Sequence, residues 1–265
     1  MAEIKILGCS GGIGGDLRTT SILLDHDILI DAGSGVGDLS MDALLAIDHI
    51  FVTHSHLDHV AFIPFLVDTV MGIRTEPITL HATQETLDIL QAHLFNWVIW
   101  PDFNAIPSRD APFLRYNPIR LGETITLNSR KITALPVEHV VPAVGYQIDG
   151  ETHSLVYTGD TTVCDALWQA VNEIHHLKYI IIETAFSNDE RALAKVSKHL
   201  CPETLVSELG KLTISVRSAS DSAAEPEVFI THLKPGEGEI IMREIGESDL
   251  PFSVSALQRG QVFKL

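Results

Sequence analysis

The sequence predicts a mixed α/β domain built in layers. Short stretches of strand character alternate with helical ones from end to end, and no repeat or clean linker divides the 265 residues. A hydrophobic content of 45% suffices for a sizeable core, and a chain of this length fits one large domain, here 1–265.

Strands are expected near 3–8, 20–25 and 27–31, parted by the turn Gly11-Gly12-Ile13-Gly14-Gly15. That turn lacks the Lys-Ser/Thr ending of a phosphate-cradling loop and reads as a plain turn. A strand at about 49–53 delivers the stretch THSHLDH, Thr53 to His59, and an apolar helix follows from about His59 to Met71. Strand 78–81 and helix 84–94 precede an irregular segment at about 95–116, rich in aromatic residues and prolines. Strands near 123–127, 131–136, 143–148 and 154–158 open the second half, followed by a helix at 163–174 and a strand at 178–183. Helices near 189–199 and 203–213 come next, with Pro202 around the first turn of the latter, where proline is favoured. The polar run Ser218 to Glu225 reads as a loop, strand 227–231 follows, and a helix after Gly236 nearly closes the chain.

Charge narrows the function. A formal net charge of −17 opposes broad contact with nucleic-acid backbones, which needs Lys and Arg. A small anionic substrate stays compatible where metal ions reverse the field locally. No apolar run approaches the roughly 18–20 residues that span a bilayer, so no membrane contact is expected. Ile6-Leu7-Gly8-Cys9 superficially resembles a lipoprotein cleavage site. It has no basic leader or apolar stretch before it, and reads as a first strand in a cytoplasmic protein. Cys9, Cys164 and Cys201 are widely spaced and odd in number, which suits a reducing compartment.

The stretch THSHLDH carries the chemistry. His54, His56, Asp58 and His59 cannot share one helix face, where neighbours lie three or four residues apart. A strand end running into a loop would bring them to one point, and neutral imidazole and carboxylate bind zinc, iron or manganese. His139 in LPVEHVV, Asp160 in VYTGDTT and His232 in FITHLKP each lie at or just beyond an apolar run. Five histidines and two aspartates are too many for one tetrahedral ion. They fit two divalent ions bridged by a shared carboxylate, as in two-metal hydrolases.

THSHLDH followed by these three later ligands resembles the metallo-β-lactamase superfamily, whose fold is a four-layered αβ/βα sandwich. The resemblance implies that His54, His56 and His139 hold one metal, that Asp58, His59 and His232 hold the other, and that Asp160 lies between them. Within the superfamily the chain looks most like class II cyclic-nucleotide phosphodiesterases, through THSHLDH, NWVIWPDF, YTGDT, IIETAF followed by KHLCPETL, and ITHLKPGE. It departs from that family's signature at Phe62 and Pro64-Phe65-Leu66-Val67. The implied reaction is hydrolysis of a 3′,5′-cyclic nucleotide to the 5′-nucleotide, by a protein that forms a homodimer.

Phosphodiester hydrolysis needs an activated water, charge neutralisation on phosphoryl oxygens and a proton for the leaving alkoxide; two metals supply the first two. Asp58 would orient the water or accept its proton. His199 resembles the proton-donating histidine of related metallo-β-lactamase ribonucleases, though a histidine near a helix end can also simply be solvated or offset the helix dipole. Glu183, ending the 178–183 strand, would orient a ligand or His199 from behind. Asp31, in LIDAG, is either a similar supporting carboxylate or a turn former. Trp97, Trp100, Phe103, Phe113 and Tyr116 form either a satellite core or oligomer contact, or a platform on which a purine stacks. Three rivals share parts of the pattern. A tRNA-processing nuclease would need a basic surface, a redox di-iron protein would replace a histidine with an acidic ligand, and a silent cyclic-nucleotide binder would lose ligands.

Overall fold

The computed structural model describes residues 2–213 and 225–265; the expected loop Ser218 to Glu225 lies outside the described residues up to its last position. Nine strands occupy the first half and the C-terminal end: β1 (Glu3–Gly8), β2 (Ser21–Leu24), β3 (Ile28–Ala32), β4 (His49–Phe51), β5 (Ile78–Ala82), β6 (Pro107–Ser108), β7 (Ala111–Pro112), β8 (Leu114–Pro118) and, at the end, β16 (Val262–Lys264). Between them come β9 (Thr124–Leu127), β10 (Arg130–Pro136), β11 (Val144–Asp149), β12 (Ser154–Tyr157), β13 (Leu177–Glu183), β14 (Glu227–Thr231) and β15 (Val254–Ala256). The helices are α1 (Met41–Leu45), α2 (Leu57–Val60), α3 (Phe62–Val70), α4 (Gln84–His93), α5 (Asp165–Asn172), α6 (Arg191–Ser197), α7 (Pro202–Leu209) and α8 (Gly238–Gly246).

Two seven-stranded sheets result, ordered β16-β1-β2-β3-β4-β5-β8 and β15-β14-β13-β12-β11-β10-β9, with β6 and β7 forming a separate small hairpin. SILL and ILIDA are buried along their whole length. A strand covered on both faces loses the alternation of a half-exposed one and reads as a continuous apolar run. Ile4, Ile6, Ile22, Ile30 and Phe51 face Ile132, Tyr146, Ile148, Tyr157 and Ile181 across the gap between the sheets. On the outer side of the first sheet, Leu29, Ile50 and Val52 pack under Ile63, Leu66 and Val67 of α3 and Leu87 and Leu90 of α4. Val156, Ile180, Ile182 and Ile230 do the same under α5, α7 and α8 on the far side. Helices, sheet, sheet and helices are the four layers of the αβ/βα sandwich.

Strand direction decides where the site falls. β3, β4, β5 and β8 are mutually parallel, as are β12, β13, β14 and β15. β10 points the same way as β12, because both are antiparallel to β11. The carboxyl ends of β4, β10, β12, β13 and β14 all lead into residues of the cluster described below, where ligands of open α/β sheets commonly bind.

The elements differ from the sequence expectation in several places, among them α1 and the β6–β7 hairpin, for which no element was expected. The helix expected over 59–71 is two helices, α2 and α3, joined at Ala61. β8 runs through the end of the segment expected to be irregular, and β15 and β16 were not anticipated at all. All three strands lie on sheet edges, where one neighbour's ladder rather than an apolar run decides strand formation, and where Pro118 can end β8 without breaking a bond.

Arg130 ties the two sheets together at the opposite end from the cluster. From the first position of β10 its guanidinium donates to Asp27 (2.8 Å at Nη2) and Asp25 (3.0 Å) in the β2–β3 turn. Burial opposes the charge on Asp27, but the Arg130 guanidinium holds its carboxyl below the usual range. A depressed carboxyl stabilises the fold above the unfolded-state pKa of about 4, and that contribution is lost as pH falls below it. Arg130→Met strands the largely buried Asp27 and is expected to cost about 3 kcal/mol near neutral pH. Denaturant midpoints at pH 7 and pH 3 check this: the gap between variant and wild type should narrow in acid, and a gap that stays constant contradicts the assignment.

Candidate metal centre

His54, His56, Asp58 and His59 leave the end of β4 and enter α2, with His56 as its N-cap. His139 follows β10, Asp160 follows β12, and His232 follows β14. The structure brings all seven together, along with His199 from the α6–α7 connection. Their ligand atoms form three overlapping groups, each within 4.8 Å: His54, His56, His139 and Asp160; Asp58, His59 and His232; and Asp160, His199 and His232.

Asp160 stands in the middle. Its Oδ2 lies 3.6 Å from His54 Nε2 and 4.0 Å from His139 Nε2, and its Oδ1 lies 3.4 Å from His59 Nε2 and 3.3 Å from His232 Nδ1. On the second side, Asp58 Oδ2 lies 3.7 Å from His232 Nε2 and 4.0 Å from His59 Nε2. On the first side, His139 Nε2 lies 3.3 Å from His56 Nδ1.

His54 Nε2, His59 Nε2 and His232 Nδ1 are buried with no hydrogen-bond partner in the protein. A polar atom left so costs about 1–3 kcal/mol. Three of them around one carboxylate fit divalent cations, and the imidazole–carboxylate donor set suits zinc, iron or manganese.

The protonation states agree with ligation, which requires neutral imidazole and ionised carboxylate. Burial, reinforced by neighbouring histidines, holds His54 well below its ordinary value. Burial likewise pushes His139 down to about 4 and His232 to about 3, outweighing the pull of Asp160. For Asp160 burial works against ionisation, yet His232 and His59 hold it well below the carboxylate range. His59 goes the other way: burial disfavours its charge, but Asp160 and Asp31 hold it well above its ordinary value. Asp31 takes the Nδ1 side of the ring, and Asp160 faces Nε2, where a bound cation would supply the positive charge in place of a proton.

Behind these groups lies a second ring of contacts. Asp31, fully buried, accepts from His59 Nδ1 (2.7 Å), Thr53 N (2.8 Å), Thr53 Oγ1 (2.8 Å) and Tyr157 OH (3.2 Å). It lies within β3 with a left-handed backbone, φ 56°, where the pairing with β2 shifts register, so of the two roles weighed for it the supporting one is present and the turn is not. Glu183 accepts from His199 Nδ1 (2.8 Å) and from the backbone of Thr161 (3.1 Å) and Leu200 (3.3 Å). Burial opposes a charged His199, but Glu183 holds it above its ordinary value. Thr53, Tyr157 and Lys234 were not legible as site residues. Tyr157 acts through Asp31, Thr53 touches both Asp31 and His54 Nδ1 (3.0 Å), and Lys234 reaches His232 Nε2 (3.3 Å) from two positions along the chain.

The glycine turn is more than a plain connection. Gly11 N donates to Leu233 O (3.0 Å), and His232 N donates to Cys9 O (2.9 Å). A Cβ on Gly11 would sit 2.5 Å from His232 O, so only glycine lets the turn pack against this segment. His232 itself holds a left-handed backbone, φ 63°, rare for a non-glycine residue and fixed here by those two bonds.

The rings of the aromatic segment differ in burial, and Phe103 is set against the stacking expectation. Phe103 is 1% exposed in the core under the first sheet, so its ring has no face to offer a base. Trp100 packs edge-to-face on Phe65 (5.3 Å), Phe113 and Tyr116 lie half-buried against the same core, and Trp97 is exposed. The segment joins the end of α4 to the start of β8, and Phe113 O accepts from Ile78 N at the start of β5. The parallel strands begin there; the ligands follow their ends.

The chain belongs to the metallo-β-lactamase superfamily. It matches the beta-lactamase superfamily domain over residues 26–219. A probable 3′,5′-cyclic-nucleotide phosphodiesterase of Yersinia pestis is 27% identical, over 88% of this chain and 78% of its own length. A ribonuclease Z of Clostridium beijerinckii is 31% identical over 55% of this chain and 48% of its own length. In fold, the chain is similar to unliganded yeast PDE1, with a TM-score of 0.79, 22% identity, and coverage of 100% of this chain and 99% of that one. Family and relatives make the protein a metal-dependent hydrolase.

Asp31→Ala removes the acceptor that orients His59. Loss of such a supporting group typically costs 10–100-fold in metal affinity. Titration of the metal-free variant with zinc or manganese is expected to show a fall of about that size, with Tyr157→Phe as a milder control; unchanged affinity contradicts the supporting role.

Proposed function

We propose that this protein hydrolyses 3′,5′-cyclic nucleotides to 5′-nucleotides with two divalent cations, drawn from zinc, iron and manganese. His54, His56 and His139 would hold one cation, Asp58, His59 and His232 the other, and Asp160 would bridge them. One observation carries the dinuclear reading: Asp160 turns one oxygen to each histidine set, at 3.6 and 4.0 Å on one side and 3.4 and 3.3 Å on the other. The phosphodiesterase name of the Yersinia relative supports the substrate class. When bound, the cations supply an acidified water and neutralise charge on the phosphoryl oxygens.

The chain's own groups divide the remaining work. Asp58 is the partly exposed carboxylate of the cluster, and can orient the attacking water and take its proton. His199, its Nδ1 committed to Glu183, keeps Nε2 to give a proton to the leaving alkoxide. Glu183, fully buried and held by two backbone N–H groups, fixes that tautomer and ring orientation.

The ribonuclease Z relative favours a second reading, phosphodiester cleavage in RNA with the same ligands. A net charge of −17 weighs against it, since RNA binding depends on cationic surface. No described helix is long and apolar enough to cross a membrane. The free cysteines Cys9, Cys164 and Cys201 fit the cytoplasm.

His199→Ala is expected to lower kcat on cyclic AMP or cyclic GMP by about 10²–10⁴-fold while metal content stays intact. A nitrophenyl phosphodiester, whose leaving group needs no proton, should lose much less. Equal losses on both substrates remove His199 from proton donation.

A further inference from the structure

We infer that the cavity beside His232 receives the nucleoside of the substrate while the histidine–aspartate cluster holds its phosphate; this rests on the phosphodiesterase reading above. The cavity has a volume of about 870 Å³, within the usual range for small-molecule sites. It lies between the residues flanking the glycine turn (Cys9, Ser10 and Asp16 to Arg18), the short helical turn Ser34–Asp38, the residues after His232 and the β15–β16 connection.

Its placement is the first argument. None of the seven candidate ligands lines it, yet its wall continues directly from them. Leu233 and Lys234 follow His232 in the chain, and Ser10 pairs with Leu233. Lys234 lines the cavity while its Nζ stands 3.3 Å from His232 Nε2 and donates to Gly11 O (2.9 Å). An ammonium at that seam sits where a phosphate at the cluster passes into the rest of the ligand.

Its charge is the second. Lys5, Arg18, Lys234 and Arg259 line it against Asp16, Asp38 and Glu239, a net positive wall on a chain of charge −17. Arg18 Nε (2.7 Å) and Arg259 Nη2 (2.6 Å) both donate to Asp38 Oδ2. One carboxylate thus fixes two guanidinium planes; Arg18 spends its Nη1 on Gly15 O and Leu17 O (3.1 Å each), and the N–H groups of Arg259 beyond that bond suit the acceptor edge of a base. Leu7, Leu39, Leu233 and Leu257 give the apolar walls that a base face needs.

Arg259→Glu and Leu17→Trp test the inference. Both positions lie at the exposed lip of the cavity, outside the ligand cluster, so folding should be preserved; melting temperature verifies it. On the metal-loaded protein, binding of 5′-AMP and 5′-GMP is compared with binding of inorganic phosphate. KM for cyclic AMP and cyclic GMP is compared with KM for bis(p-nitrophenyl) phosphate. Nucleotide Kd and cyclic-nucleotide KM should rise by about tenfold or more, the equivalent of losing one good contact of about 1.4 kcal/mol. Phosphate binding and the nitrophenyl reaction should stay within about twofold, and kcat should hold, as for lost uniform binding. Unchanged nucleotide binding, or equal losses for nucleotide and phosphate, overturns the cavity assignment and leaves the phosphodiesterase reading standing. Wild-type protein that binds nucleotides through this cavity but turns over no cyclic nucleotide overturns the reaction and keeps the pocket.

Discussion

A single buried carboxylate, Asp160, sets the terms for the rest of this molecule. An ionised group at 2% exposure is expensive unless it is paired, and its partners here are imidazoles from β4, β10 and β14. Those strands belong to both sheets, so the carboxylate cannot be satisfied by either half alone. The sandwich must close with the carboxyl ends of its strands in register for the cluster to exist. The apolar gap between the sheets stabilises the fold, and Asp160 dictates which ends meet.

Low dielectric makes the arrangement consequential. Burial keeps His54, His139 and His232 neutral, while the same burial sharpens the attraction of Asp160 and Asp31 for positive charge at His59. The supporting bonds serve this end. Asp31 holds His59 by Nδ1 so that Nε2 faces inward, and Glu183 holds His199 in the same manner on the other side. The left-handed backbone at His232 belongs to the same design, since strain of that kind persists where surrounding contacts over-determine it.

The cluster was legible because metal chemistry restricts residue type and strand ends restrict position: THSHLDH, His139, Asp160 and His232 each stand at the end of an apolar run, and the structure brings them together. The layered fold followed from the same runs. What stayed hidden depends on pairing at a distance. β8, β15 and β16 have too few apolar residues to announce themselves and exist through a neighbour's ladder. Asp31 was a candidate from the sequence, but its partners Thr53 and Tyr157, 22 and 126 positions away, meet it only in three dimensions. In the aromatic segment ring content is the same for a core and for a stacking platform. Only burial tells them apart, and Phe103 is core.

The central claim is that two cations share Asp160, and metal counting tests it most directly. Protein saturated with zinc or manganese, freed of excess metal and measured by mass spectrometry should carry two ions per chain. Asp160→Ala, confirmed as folded by circular dichroism, should fall well below that on both sides of the site. One ion per chain in the wild type, or two retained by the variant, would contradict the bridging role.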